Sequence, residues 1–259
     1  VPEGCSPVFG ANVKMLLYGD AFWPTYTVGD NANLVATDSM KNFIQRETLN
    51  FPGYDLESFC AFLARKFMET YPHTAGIQLS AKQVPYSGLA EGAVAFAPSG
   101  PDMANASVEI RRNQDALEYV EARSGIHGFR LLRLGGSAFH GFLRDQYTTL
   151  PDIANRPLNM WLDLDWQYLT AEAAFSEGKV TARVRNLVHQ VFHSFESGSI
   201  QQVIYQLGTK ILEEIPAISE IHLEANNRTW DTIVEQGDQI GVYTDARPPY
   251  GCLGLALRR

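Results

Sequence analysis

LARKFMETYPHTAGIQLSA, residues 63–81, and LGTKILEEIPAISEIHLEA, residues 207–225, align without a gap at an offset of 144. Leu63/Leu207, Lys66/Lys210, Glu69/Glu213, Pro72/Pro216, Ile77/Ile221, Leu79/Leu223 and Ala81/Ala225 are identical, seven of 19 positions, where chance would give about one. The repeated unit has a physical reading. Leu56, Phe59, Cys60, Leu63, Phe67 and Met68 recur at helical spacing, and Ile200, Val203, Ile204, Leu207, Ile211 and Leu212 repeat the pattern. Each helix must stop before its proline, because the proline ring disfavours helical geometry in the preceding residue. Ile77/Leu79 and Ile221/Leu223 then alternate as a short strand does.

Outward from this unit, 37–45 and 180–195 read as two further helices. Strands are expected at 12–18 and 24–28, joined by a Gly-Asp turn, and at about 91–97, 105–111, 117–122, 128–134, 158–168, 240–243 and 252–257. Each half is then a strand pair, two helices and more strands: an α+β fold of two tandem units, 1–123 and 124–259, with antiparallel sheet and helices on one face. Such a sheet has open edges, so an oligomer that closes them is expected.

Composition narrows the class. The chain has 259 residues, 45% hydrophobic and 19% charged, enough for a packed core and not a disordered composition. Lys and Arg number 21 against 29 Asp and Glu, a net charge of −8, and no dense basic cluster follows a phosphate backbone. Nucleic acid is an unexpected partner. No apolar run reaches the length of a membrane-spanning helix. Cys5, Cys60 and Cys252 are odd in number and far apart, which reads as a reducing compartment without a disulfide or zinc framework.

Four stretches carry chemistry. Residues 29–42 form a polar loop feeding a helix, with Thr37 or Asp38 as N-cap and free N–H groups able to meet an anion or a heterocycle oxygen. Residues 137–157 mix aromatics with Arg144 and Arg156 in a segment without clean periodicity. Arg156, between Asn155 and Pro157, is pushed to extended geometry, suits bidentate recognition of a planar anionic edge, and has Phe139 as a stacking face. The 197–202 loop, with Ser197, Ile200 and Gln201, caps the second-half helix and offers side-chain amides. The 224–231 stretch ends a strand with Asn226, Asn227 and Arg228. His189 and His193 stand four apart on a helix without the further ligands a metal site needs, and read as a helix face. No GxSxG elbow, GxGxxG loop or GxxxxGK[ST] loop occurs, so neither a serine hydrolase nor a nucleotide cofactor is indicated.

Together and in order, TVGDNANLVATDSMKNFI (27–44), FHGFLRDQYTTLPDIANRPL (139–158), SGSIQQVIYQLGTKIL (197–212), EANNRTWDTIVE (224–235) and YTDARPPYG (243–251) resemble the urate oxidase (uricase) family, most closely its bacterial branch. The resemblance covers nearly the whole chain. It implies two tandem tunnelling-fold (T-fold) domains, assembling as a homotetrameric barrel with sites at subunit interfaces. It further implies oxidation of urate by dioxygen to 5-hydroxyisourate and hydrogen peroxide, with no cofactor and no metal. By the same resemblance Phe139 would stack on the purine, Arg156 and Gln201 would grip its edges with the N–H of Ile200, and Leu150 would line an apolar wall. Thr37 and Asp38 would arrive from a neighbouring subunit, and Asn226 would hold dioxygen. Arg228 stands where many members place a histidine. The family's catalytic lysine, partner of the threonine matching Thr37, is expected on a strand ahead of the segment matching 8–18 and before Val1. Lys14 is not its equivalent. The ending Leu257-Arg258-Arg259 has no SKL-type signal, so a cytoplasmic location is expected.

Overall fold

The computed structural model describes residues 8–90, 94–176, 179–236, 240–249 and 251–259. Its first half runs β1 (Ala11–Tyr18), a 3₁₀ turn (Asp20–Phe22), α1 (Trp23–Thr27), α2 (Thr37–Thr48), α3 (Leu56–Thr70), β2 (Gly76–Gln83), β3 (Tyr86–Gly88), β4 (Phe96–Pro98) and β5 (Met103–Asn113). The long β6 (Ala116–Phe139) leads to β7 (Ile153–Tyr168), α4 (Ala173–Ser176), α5 (Val180–Ser194), α6 (Ile200–Glu214), β8 (Ile218–Asn227), β9 (Thr232–Gln236), β10 (Ile240–Tyr243) and β11 (Leu253–Arg258).

The repeat is visible in atomic detail. α3 and α6 start and end at the same offset as the sequence match. Asp55 caps α3 by accepting from the Ser58 N–H at 2.8 Å, and Ser199 caps α6 by accepting from Gln202 N–H at 3.1 Å, each satisfying an orphan donor. Tyr71 and Ile215, ahead of the prolines, leave the helix with φ/ψ of −121/79° and −123/85°. Two unrelated residue types thus adopt one geometry because each precedes a proline.

Seven strands form one antiparallel sheet in the order β1-β2-β5-β6-β7-β8-β11, with β3–β4 and β9–β10 as separate hairpins. β2 lies between β1 and β5 as β8 lies between β7 and β11, so the two halves share a strand plan. Alternation sends Ala104, Ala106, Val108 and Ile110 of β5, and Leu158, Met160, Leu162, Leu164 and Trp166 of β7, to one face. There they meet the apolar stripes of α3, α5 and α6 in one continuous core.

Three expectations are corrected. Residues 24–28 are not a strand: Pro24 sits in the first turn of α1, where its missing N–H costs nothing, and the 3₁₀ turn ahead has already closed the backbone. The stretches 117–122 and 128–134 are one 24-residue strand, β6, which pairs with β5 through His127 and with β7 from Arg123 onward. The expected boundary between 123 and 124 therefore falls inside a strand. Gly125 sits at that double pairing, where a Cβ would collide with Asp165 Oδ1 and come within 2.7 Å of Leu164 O. Of 91–97, residues 91–93 lie outside the described residues and Phe96 opens the small hairpin strand β4. Cys5 also lies outside them, while Cys60 is buried and Cys252 exposed, both as free thiols.

The halves are joined by a buried carboxyl. Glu57 of α3, 6% exposed, accepts at Oε1 from the hydroxyls of Thr181 (2.6 Å), Ser124 (2.8 Å) and Tyr168 (3.4 Å). Those three residues belong to α5, β6 and β7. Burial raises the Glu57 pKa above the ordinary 4.5, against the lowering effect of the Thr181 and Ser124 hydrogen bonds. A carboxyl whose folded pKa exceeds its unfolded one adds stability at low pH and loses it as pH rises through the folded value. Glu57→Gln keeps an acceptor for the hydroxyls and has nothing to ionise. Its Tm relative to the wild type should therefore rise as pH increases from about 4.5, measured by scanning fluorimetry across pH. A pH-independent difference would show that Glu57 does not titrate against folding.

Candidate functional site

The segment from 137 to 157 is not an irregular loop throughout, as its sequence suggests. β6 runs to Phe139, β7 begins at Ile153, and Arg156 pairs with Ser137 inside the ladder. Its periodicity is obscured by a bulge. Between the Arg133–Leu158 and Ser137–Arg156 pairs, β6 inserts three residues opposite Pro157 alone. Pro157 has no N–H to donate there, and Gly136 takes φ of 73°, a value costly for any residue with a Cβ. The Gly136 N–H donates to Asn155 Oδ1 at 2.7 Å. The bulge re-aims the strand end so that Phe139 faces Arg156.

The Arg156 guanidinium lies 5.9 Å from the Phe139 ring centre. It is half-buried, its Nε has no hydrogen-bond acceptor, and burial lowers its pKa from the ordinary value. A desolvated cation with free donor capacity suits an anionic, planar ligand. Phe142 stacks on Phe139 at 4.9 Å and 15°, and Arg144 lies 4.9 Å over Phe142. Arg144 also bonds the Leu150 carbonyl at 3.2 Å and Asp152 at 3.1 Å, tying down the turn that displays Leu150, which is 43% exposed.

The other wall is the entry to α6. Ser197 docks on the end of β6: its N–H donates to the Gly136 carbonyl at 2.9 Å, and its carbonyl accepts from Ala138 N–H at 2.7 Å. Three and four residues on, Ile200 and Gln201 open α6. Their N–H groups precede the first intrahelical bonds and carry the positive end of the helix dipole. The structure thus brings together at one corner the end of β6, the start of β7 and the entry to α6, the segments that carry Phe139, Arg156, Ile200 and Gln201. Ser197, Ser137 and the Gly136–Pro157 bulge complete that corner. Only the two adjacent glycines in a strand-like stretch hint at the bulge from sequence.

The remaining candidates lie elsewhere. Thr37 and Asp38 stand exposed in the first turn of α2, which packs on α3 in the first half. Neither is the N-cap: Ala36 holds that position without a side-chain bond. Asp38 instead turns down the helix to Lys41 (2.7 Å) and Asn42 (2.9 Å), a local pairing that competes with capping. Asn226 is the penultimate residue of β8, and Arg228 directly follows the strand. Asn226 is opposite Trp161 in register, on the face away from the helices, and its Oδ1 accepts from Arg228 Nε at 3.0 Å. The Arg228 guanidinium stacks 3.8 Å over the Trp161 ring, with that of Arg130 at 4.5 Å. Among the described residues no hydrogen bond or ring contact joins this pair to the Phe139–Arg156 corner. His189 is exposed and meets Phe129 edge-on at 5.9 Å. No described group of three or more His, Cys, Asp or Glu could hold a metal ion.

Comparison with known proteins matches this architecture. The uricase family model matches residues 122–253, which contain the whole corner. The "Uricase" of Halalkalicoccus jeotgali is 34% identical, over 86% of this chain and 77% of that protein. The chain belongs to the uricase family. The "Uric acid degradation bifunctional protein" of Bacillus sp. TB-90 is 39% identical over 94% of this chain and 52% of its own length. The chain therefore spans about half the length of that curated relative. A crystal structure of a uricase from Bacillus fastidious superposes with a TM-score of 0.87 at 35% identity, over 96% of this chain and 82% of that one. The uricase structures share the α+β plan seen here, with a mostly antiparallel sheet and helices. Among the described residues, no helix is long and apolar enough to cross a membrane.

Proposed function

We propose that this uricase-family chain is a urate oxidase that uses no cofactor: urate, dioxygen and water give 5-hydroxyisourate and hydrogen peroxide. The observation that carries the reading is Arg156, a half-buried guanidinium with an unpartnered Nε beside the Phe139 ring and near the N-terminus of α6. Urate at neutral pH is a planar monoanion. Arg156 would pair with one polar edge, Gln201 and the Ile200 N–H with the opposite edge, and Phe139 with the ring face, while Leu150 shields the side. Held this way, the electron-rich anion gives two electrons to dioxygen, which leaves as hydrogen peroxide. Water adds its oxygen at the oxidised carbon, so the organic product gains one oxygen. The protein's part is orientation and charge stabilisation.

The assembly belongs to the same proposal. The two halves are read as tandem T-fold domains, and four chains as a barrel whose sites complete at subunit interfaces, in the cytoplasm. The sheet ends at β1 and β11, and unpaired strand edges invite closure by another copy. Thr37 and Asp38, exposed and apart from the corner, would reach the purine of a neighbouring subunit, and Asn226, beside the Arg228 cation, would hold dioxygen. Co-expression tests the shared site. Thr37→Ala and Arg156→Ala chains, each inactive alone, should recover about a quarter of wild-type activity when mixed randomly in paired subunits. No recovery in confirmed hybrids would mean that a neighbouring subunit's Thr37 does not complete the site that holds Arg156.

The reading itself is tested by following urate absorbance with protein expressed from the complete gene. Steady loss of urate is expected. Turnover of another purine or a pterin with urate untouched would replace the substrate, and binding without turnover would leave a purine-binding protein.

A further inference from the structure

A second partly buried cation lies behind the corner. Arg133, opposite Leu158 in the β6–β7 ladder, sends its guanidinium into the turn between α5 and α6. Nη1 donates to the carbonyls of Phe192 (3.2 Å) and Phe195 (2.6 Å), and Nη2 to Ser197 Oγ (2.6 Å). The Phe192 and Phe195 carbonyls close α5, where backbone acceptors lack helical partners and the helix dipole is negative. The guanidinium also lies 5.3 Å from the Phe192 ring and 5.9 Å from that of Phe195. Ser197 passes the restraint on: its Oγ donates to Ser137 Oγ at 3.4 Å, and its backbone is bonded to Gly136 and Ala138.

This arrangement is costly as packing alone. Burial lowers the Arg133 pKa, with only the through-space field of Glu196 opposing it, and Arg133 Nε is buried without an acceptor. An apolar side chain would fill the space without desolvating a charge. What the guanidinium supplies is a rigid fork, carried on β6, that reaches three acceptors of the α5–α6 segment at once and so joins the two segments. Both segments lead into the corner: Phe139 follows Ser137 by two residues, and Ile200 and Gln201 follow Ser197 by three and four.

The geometry points to Arg133 as a positioning residue of the ligand corner: it clamps the 195–199 turn to the end of β6, so that Phe139 and the first turn of α6 face the space beside Arg156. This rests on the urate reading above. Arg133 does not touch the ligand. It acts through Ser197 and the backbone, and its loss misplaces one wall while leaving Arg156 in the ladder.

The test is urate binding by calorimetry without oxygen, which reads affinity in the absence of turnover, together with aerobic kinetics. Arg133→Met should weaken urate binding about 30-fold, the scale of lost charge-assisted hydrogen bonds. KM should rise in parallel, and kcat should change by less than about threefold, because Arg156 and Asn226 stay in place. Arg133→Lys, which keeps the charge and part of the bonding, should recover much of the affinity, and Ser197→Ala should cost about fivefold. A purely structural role would lower the Tm of all three variants and leave the affinity of the folded fraction at the wild-type value, and that result overturns the inference. If Arg133→Met does not fold, wild-type affinity in both Arg133→Lys and Ser197→Ala overturns it equally. A wild type that binds no urate fells the functional reading, and the inference with it. A wild type that binds, with variants that bind equally, fells the inference alone.

Discussion

Arg156→Lys is expected to lower kcat/KM for urate by about 100-fold or more. Lysine keeps the charge and is nearly as long, so a site that needed only a positive field would tolerate it. The geometry here asks for more. Arg156 is anchored in the β6–β7 ladder opposite Ser137, and its guanidinium plane lies near the Phe139 ring with one nitrogen unpartnered. A planar fork can meet two acceptors on one edge of a purine, whereas an ammonium meets one and carries a tighter hydration shell that must be stripped. Truncating one partner of a desolvated, hydrogen-bonded charge pair typically costs about 2–5 kcal/mol, or 30- to several thousand-fold. The loss should appear mainly in urate KM, with far-ultraviolet circular dichroism and Tm near wild type. Unchanged kinetics would remove Arg156 from the site.

The second large effect tests the duplicated architecture. Leu63 and Leu207 are equivalent by the repeat, and both are fully buried at 0% exposure, on the faces of α3 and α6 that pack against β2 and β8. Leu→Ala at such positions costs about 2–5 kcal/mol, the lost transfer energy plus the cavity left behind. For a chain of this size each kcal/mol shifts Tm by about 2–4 °C, so each variant should melt roughly 10 °C lower. Because one continuous core joins the halves, and Glu57 pins α3 to α5, β6 and β7, each variant should still melt in a single transition. Two separated transitions in either would mean that the halves unfold independently.

What the sequence made legible was local. The α3–β2 and α6–β8 units declare themselves through helical spacing, an N-capping Asp55 or Ser199, and a proline that ends each helix, all signals carried within a few residues. The Phe139–Arg156 pairing was also within reach, because Pro157 forces Arg156 into extended geometry and strand alternation does the rest. Less local features were hidden. The alternation around Trp23–Thr27 mimics a strand, yet Pro24 begins a helix there. Pro157 and Gly136 break the period of two, so a ladder read as a loop. Asp38 prefers Lys41 and Asn42 to the capping role, and Ala36 takes the N-cap. The Arg133–Ser197 clamp joins residues 64 positions apart with no motif to announce it. Such contacts exist only once β6 and the α5–α6 turn have packed. The family resemblance supplied the roles expected of Thr37 and Asn226, which no hydrogen bond or ring contact among the described residues ties to the corner.

The central claim is oxidation of urate by dioxygen without a cofactor, and the most direct measurement is stoichiometry. Protein expressed from the complete gene, treated with chelator and dialysed, is mixed with urate while dioxygen and hydrogen peroxide are followed together. One dioxygen consumed and one hydrogen peroxide formed per urate lost is the expected result. Urate left intact with no oxygen uptake, or turnover that returns only when metal or flavin is added, would contradict the account.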